Sequence, residues 1–390
     1  MNRFLSADAR NYRSSAIRAF ARLINDPNII SFAGGVPNPE TFPAERMAEI
    51  AARVIRERRN VALQYGPTRG LPRLCEAIAA ICRGRGVEHG VDDVIVTTGS
   101  QQALDLVAHT LLDAGDVVLV ELPTYIGGTA SFHARSAVLA GVEQDDDGIV
   151  PESLDAVAAR TKPKLLYTIP NFQNPSGRLM SQPRRDAVLE IAAKHDFLIV
   201  EDDPYGELLY VDGADTTPLA ARDTDGRVIY LGSFSKVLAP GLRCGFIAGP
   251  HALVATLEIA KQSADLCSGM LDQSIVDEFC AAGELAPQIA RVRDFYRGKR
   301  ATLIAALGEH FIGRATWTDA AGGLFTFVTM RAEVDTANRV KEAVERGVAY
   351  IPGAPFFVDG RGRNTMRLTF AKESDERMRE GVRRLAEVFA

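Results

Sequence analysis

The sequence predicts an α/β protein with a large, mostly parallel β-sheet and a smaller α/β unit in its last third. Three observations predict it. Short, near-continuous apolar runs alternate with helical periodicity between residues 94 and 231, as expected for strands buried on both faces. Each run ends in a polar cluster, at the edge where open α/β sheets bind ligands. At 390 residues the chain also exceeds the ~250–300 at which a single core stops growing, so a second lobe is expected.

The elements follow in order. An apolar run at 29–32 stops at Gly34-Gly35-Val36-Pro37-Asn38-Pro39, a rigid loop that brings backbone close to something. Pro43 opens a helix to residue 56, with Met47, Ile50, Ala51 and Val54 on one face. Tyr65-Gly66-Pro67-Thr68-Arg69-Gly70 is a second loop, and a helix over 72–82 follows. The strand at 94–98 ends in Gly99-Ser100-Gln101-Gln102, which opens a helix to 112. The strand at 117–120 leads to Thr124-Tyr125, and that at 165–169 to Asn174-Pro175-Ser176-Gly177. After a helix over 183–194, the strand at 197–200 ends in Glu201-Asp202-Asp203-Pro204-Tyr205. The strand at 228–231 ends in Gly232-Ser233-Phe234-Ser235-Lys236, and a Pro-Gly turn leads to Arg243 and another apolar run. Helical patterns fill 250–307, and a β-α-β-α order closes the chain at 324–328, 336–346, 366–370 and 374–389. The expected division is an N-terminal segment at 1–43, a large domain at 44–290 and a small domain at 291–390.

Composition narrows the function. A net charge of −5 argues against nucleic acid or an anionic membrane as the main partner. Hydrophobic residues at 46% and charged residues at 24% suit a globular fold with a sizeable core. The five cysteines, Cys75, Cys82, Cys244, Cys267 and Cys280, form no C-x-x-C pair and no metal spacing, which suits a reduced cytoplasmic protein without a metal. No run approaches the ~18 apolar residues of a membrane helix. Residues 1–23 are Arg- and Ser-rich and amphipathic, as in a transit peptide, but Asp8 and the continuity into later motifs favour an N-terminal helix of the mature protein.

The chemistry gathers at residues 233–243. Two hydroxyls (Ser233 and Ser235), turn N–H groups and Arg243 suit a dianion, and Lys236 beside them can form an imine with an aldehyde on the same molecule. A neighbouring cation and desolvation would both lower the lysine pKa, as imine chemistry needs. A lone Ser-x-Ser-Lys is more often a solvated turn. The rival S-x-x-K acyl-enzyme reading lacks its S-D-N and K-T-G partners. Ser100 at a helix start is a second anion candidate, and Asp202 at the end of a buried strand needs a partner.

The pattern S-F-S-K-x-x-x-P-G-x-R resembles the cofactor-lysine segment of fold-type I pyridoxal-phosphate aminotransferases. With SFAGGVPNPETFP (31–43), QYGPTRG (64–70), TTGSQQALDL (97–106), PNFQNPSG (170–177), EDDPYGEL (201–208) and NTMRLTFA (364–371), nearly the whole chain resembles the class I/II aminotransferases. The resemblance is to the 2-aminoadipate, kynurenine and aromatic aminotransferase branch. It implies the fold-type I architecture with a seven-stranded-type sheet, a homodimer, and ping-pong transamination between an L-amino acid and a 2-oxo acid such as 2-oxoglutarate. It also implies that Lys236 holds pyridoxal 5′-phosphate and shuttles the substrate proton. Asp202 would pair with the pyridine nitrogen, Asn174 and Tyr205 with the ring oxygen, and Tyr125 would stack on the ring. Ser100, Gln101, Ser233, Ser235 and Arg243 would hold the phosphate, with Tyr65 reaching in from a second subunit. Arg367 would clamp the substrate carboxylate, near Asn174 and Gly35, and Arg18 would meet a distal substrate carboxylate.

Two departures bear on the substrate pocket. Leu324-Phe325-Thr326-Phe327 stands where relatives often carry tryptophan, and Cys267-Ser268-Gly269 replaces a more polar run. Two other functions fit the same pattern: a same-fold enzyme of elimination, decarboxylation or cyclisation, and the ligand-sensing half of a transcription regulator. The second would need a DNA-binding module ahead of this fold.

Overall fold

The computed structural model describes residues 2–6, 9 and 26–390. The helix expected over 1–23 falls almost wholly outside them, Arg18 with it. A two-residue strand, β1 (Ile30–Ser31), and helices α1 (Ala44–Glu57) and α2 (Pro72–Gly84) lead into the main sheet. Pro72 at the first helical position suits α2, where its missing N–H costs nothing.

The main sheet comprises β2 (Val94–Thr97), β3 (Val117–Leu122), β4 (Val138–Asp145), β5 (Gly148–Ile149), β6 (Leu165–Thr168), β7 (Leu198–Asp202), β8 (Val228–Ser233) and β9 (Gly245–Ala248), in the order β2-β9-β8-β7-β6-β3-β4-β5. Strands β4, β3, β6, β7 and β8 pair in parallel, and β9 is antiparallel to both β8 and β2. Two reversals leave β2 pointing the same way as β8, so these strands share one C-terminal edge. The sheet therefore has eight strands where seven were expected, the extra one being β5, a two-residue hairpin on the edge strand β4. Strands β2 and β6 are buried throughout, which is why their sequences are unbroken apolar runs.

Five helices follow these strands: α3 (Ser100–Leu111), α4 (Ile126–Ala134), α5 (Pro151–Thr161), α6 (Gln182–His195) and α7 (His251–Ala264). Then come α8 (Met270–Ala281) and the 26-residue α9 (Leu285–His310). A second, antiparallel sheet has the order β10 (Ala315–Trp317), β11 (Phe325–Met330), β14 (Thr365–Thr369), β13 (Ile351–Pro352). The helix expected over 336–346 is a short 3-10 turn, Ala337–Arg339, followed by α10 (Val340–Glu345). Strand β12 (Val348–Ala349) pairs in parallel with β1, and α11 (Asp375–Val388) packs on β1. Residues 30–33 are thereby held against the second sheet, where Phe32 O also accepts from Thr369 N at 3.0 Å.

Gly381 in α11 sets how closely that helix approaches β1. Alanine would favour the helix by up to ~1 kcal/mol, but a Cβ here would lie 2.6 Å from both Ile30 Cγ2 and Phe32 Cε2. Overpacking of this kind costs roughly 1–3 kcal/mol and wins. Gly381→Ala is expected to lower the midpoint of urea unfolding; an unchanged or raised midpoint would contradict this packing.

Candidate active site

The polar clusters at the strand ends meet around one cavity of about 310 Å³. Ser100, Gln101, Tyr125, Asn174, Asp202, Tyr205, Ser233, Ser235, Lys236 and Arg243 line it, with Leu104, Ile169 and Pro204 completing the wall. Asp202 is the last residue of β7 and Ser233 the last of β8; Ile169 follows β6 directly. Parallel pairing of β6, β7 and β8 therefore places residues far apart in sequence at one edge.

One end of the cavity is built for an anion. Helix α3 starts at Ser100 with no side-chain cap, so its first N–H groups lack helical partners. Gly99 sits just before it with φ +76, and a Cβ there would come 2.5 Å from Arg243 Nη2. Arg243 itself is left-handed (φ 47) and donates to Pro240 O at 3.2 Å and to Thr98 O at 3.4 Å. Ser233 Oγ accepts from Ser235 N at 3.1 Å. The Gln101 side chain is engaged elsewhere, donating to Gly127 O at 3.1 Å and Ser131 Oγ at 2.9 Å. Its backbone N–H, in the first turn of α3, is the group that faces no helical acceptor.

The middle of the cavity carries the reactive groups. Lys236 Nζ donates to Gly35 O at 3.1 Å. Desolvation, then the charges of Arg367 and Arg243, push its pKa down to about 8, against the pull of Asp202. Asp202 is only 3% exposed, and burial pushes its carboxyl up to about 7. Its Oδ2 accepts from Tyr167 OH at 2.9 Å, while Oδ1 is buried without a partner among the described residues. A buried carboxylate with an orphaned oxygen suits a ligand that brings a cationic N–H. Tyr205 is buried and bonded to Asn174, and its hydroxyl is pushed up by burial, so it stays a donor.

Arg367, on β14 of the second sheet, lies behind the cavity lining and reaches it through Asn174. It is 1% exposed, and desolvation pushes its pKa down to about 10. Nη1 donates to Asn174 Oδ1 at 2.9 Å and Nη2 to Ala33 O at 2.8 Å; Nε has no partner among the described residues. The guanidinium lies 4.3 Å from the ring centroid of Phe325 and 5.2 Å from that of Phe356, aromatic faces that offset part of its lost hydration. Gly35 is glycine for a related reason, since a Cβ there would sit 2.9 Å from Phe325 Cζ.

Tyr65 lies away from the cavity lining and is 78% exposed. Sequence reasoning placed Phe325 in the segment facing the substrate pocket but missed Gly99, Tyr167 and Phe356 as parts of the site. The preceding Gly of a Gly-Ser helix start was a usable signal for Gly99; Tyr167 was masked by its place inside an apolar strand.

The lysine titration is directly measurable. In protein stripped of small ligands, labelling of Lys236 by acetic anhydride, read by mass spectrometry, is expected to rise with a midpoint near pH 8. Arg367→Met removes a cation that disfavours the ammonium, so its midpoint moves to higher pH. A wild-type midpoint at the ordinary lysine value of 10.5 would contradict the electrostatics described.

The family description "Aminotransferase class I and II" matches residues 27–385. The chain is 41% identical to aromatic-amino-acid aminotransferase 1 of Thermococcus litoralis, over 99% of this chain and 94% of that one. It is 40% identical to the 2-aminoadipate transaminase of Thermus thermophilus, over 97% and 94%. Its fold superposes on the crystal structure of Pyrococcus horikoshii kynurenine aminotransferase, solved with PMP, with a TM-score of 0.95 and 39% identity, covering 100% of this chain and 97% of that one. The motif order, the shared strand edge and these matches along almost the entire length lead to one conclusion: the chain belongs to the class I and II aminotransferases.

Proposed function

We propose that this aminotransferase holds pyridoxal 5′-phosphate on Lys236 and moves amino groups from 2-aminoadipate, glutamate or aromatic and kynurenine-like amino acids to a 2-oxo acid such as 2-oxoglutarate. The observation that carries the reading is a single cavity that joins a lysine of lowered pKa, a buried carboxylate with an unpaired oxygen, and a helix N-terminus beside an arginine. The names of the relatives support the donor class, and a ping-pong exchange of donor and acceptor follows from one site serving both.

When bound, the cofactor supplies an aldehyde that takes up the amino group and a ring that accepts the electron pair left at the substrate Cα. The chain's residues do the rest. Ser100 and Gln101 N–H groups, the Ser233 and Ser235 hydroxyls and Arg243 hold the phosphate. Asp202 would accept from the ring N–H and keep that nitrogen charged. Asn174 and Tyr205 would donate to the ring oxygen, and Tyr125 would pack on the ring. With its pKa lowered to about 8, a far larger share of Lys236 is the free amine near neutrality than for an ordinary lysine, and that amine would take the proton from substrate Cα and hand it on across the nitrogen. Arg367 receives the substrate α-carboxylate as a planar fork. Tyr65, exposed on the single chain, suits a second subunit's phosphate in a homodimer. Arg18, outside the described residues, is the candidate for a distal carboxylate. Among the described residues no helix is long and apolar enough to cross a membrane.

The absorption spectrum of the purified protein tests this directly. Adding 2-aminoadipate, glutamate, kynurenine or phenylalanine should bleach the cofactor band, and 2-oxoglutarate should restore it; Lys236→Ala should do neither at a measurable rate. Product formation that needs no amino acceptor would overturn transamination. Arg367→Lys keeps the charge but loses the fork, so KM for every donor is expected to rise about 10- to 100-fold, the worth of ~1.5–3 kcal/mol for a hydrogen bond to a charged group. An unchanged KM would remove Arg367 from the carboxylate site.

A further inference from the structure

Tyr167 stands in the middle of β6, and none of the roles above uses it. Its side chain is fully buried, and its hydroxyl donates to Asp202 Oδ2 at 2.9 Å across the parallel pair β6–β7. The direction of that bond is settled by chemistry. Burial, then the Asp202 charge, push the Tyr167 hydroxyl well above its ordinary value, so it stays protonated and can only donate to a carboxylate. Asp202 thus has one oxygen engaged from inside the sheet and one, Oδ1, unpaired among the described residues.

The ring that carries this hydroxyl is tightly seated. Phe132 of α4 meets it edge-on, with centroids 5.5 Å apart. A Cβ on Gly128, also in α4, would come within 2.5 Å of its Cε1 and Cζ. Next to it, a Cβ on Gly127 would come within 2.3 Å of Tyr125 Cζ and Oη. Two consecutive glycines weaken a helix start, and here each leaves space for a different tyrosine ring. One is the ring that lines the cavity, and the other is the ring behind Asp202.

We propose that Tyr167 is a positioning residue: by donating to one oxygen of Asp202 it fixes the carboxylate plane and leaves the other oxygen aimed at the ring nitrogen of pyridoxal 5′-phosphate, while Gly127-Gly128 leaves room for Tyr125 and Tyr167. A terminal carboxylate torsion is soft by itself, so a fixed donor on one oxygen decides where the other points. The proposal rests on the reading of Asp202 as the partner of that nitrogen.

Two ligands separate the possibilities: pyridoxal 5′-phosphate and its 1-deaza analogue, in which a C–H replaces the ring nitrogen. Their dissociation constants would be measured by fluorescence on the full-length chain freed of cofactor, for the wild type, Tyr167→Phe and Asp202→Asn. Phenylalanine keeps the ring contacts with Phe132 and Gly128 and removes only the hydroxyl. Tyr167→Phe is expected to weaken pyridoxal 5′-phosphate about tenfold, the scale of one hydrogen bond to a charged group, and to leave the analogue within about twofold. An equal loss for both ligands, or no loss for either, overturns the positioning role. Asp202→Asn identifies which premise failed. If it too treats both ligands alike, the pairing of Asp202 with the nitrogen is wrong; if it discriminates and Tyr167→Phe does not, only the Tyr167 proposal falls.

Discussion

The site depends on a carboxylate in a place that disfavours it. Asp202 ends a strand covered on both faces, and taking a charged carboxylate out of water costs several kcal/mol unless hydrogen bonds and an opposite charge offset it. Tyr167 satisfies one oxygen and nothing described satisfies the other. The parallel register makes this arrangement possible: Tyr167 lies opposite Val200 and Asp202 opposite Leu231, so the hydroxyl, the carboxylate and the turn carrying Lys236 occupy neighbouring strands at one edge. A ligand with a cationic ring N–H converts that cost into binding.

Cations lie in and behind the same cavity. Arg367 and Arg243 both disfavour the charged form of Lys236, and Asp202 favours it; desolvation and the two arginines prevail, bringing its pKa down to about 8, so that the free amine is a sizeable minority at physiological pH. Arg367 belongs to the second sheet yet bonds to Asn174 and to Ala33 O, so it ties the main-sheet loop, the N-terminal segment and β14 together at the cavity. Any shift of the second sheet therefore moves the Arg367 guanidinium and changes the field on the lysine together.

Much of this was legible in the sequence, for identifiable reasons. Strands β2, β3, β6, β7 and β8 are buried, so their apolar runs stand out, and the rule that ligands gather beyond strand C-termini led to Ser100, Asn174, Asp202 and Lys236. Strand β4 escaped because only Val142 within it is buried; an edge strand reads as polar. Helix α4 escaped because Gly127-Gly128 contradicts helix propensity, and that contradiction was itself the signal of tight packing. The two-residue strands β5, β12 and β13 are too short for any periodicity. Tyr167 was hidden by its strand, and Phe356 reaches Arg367 only through the folding of a chain segment that carries no motif.

Thermal unfolding of wild type and Asp202→Asn, each with and without pyridoxal 5′-phosphate at pH 8.5, tests the role of the buried carboxylate most directly. Burial raises the Asp202 pKa from 3.8 to about 7. The folded chain thus gains from the protonated acid below about pH 4, and that gain is lost as pH rises through about 7. At pH 8.5 the cofactor-free Asn variant, relieved of an unpaired buried charge, is expected to be the more stable by ~1–3 kcal/mol. With saturating cofactor the order should reverse. A wild type that is more stable without cofactor, or an equal cofactor-induced rise in Tm for both proteins, would contradict the account.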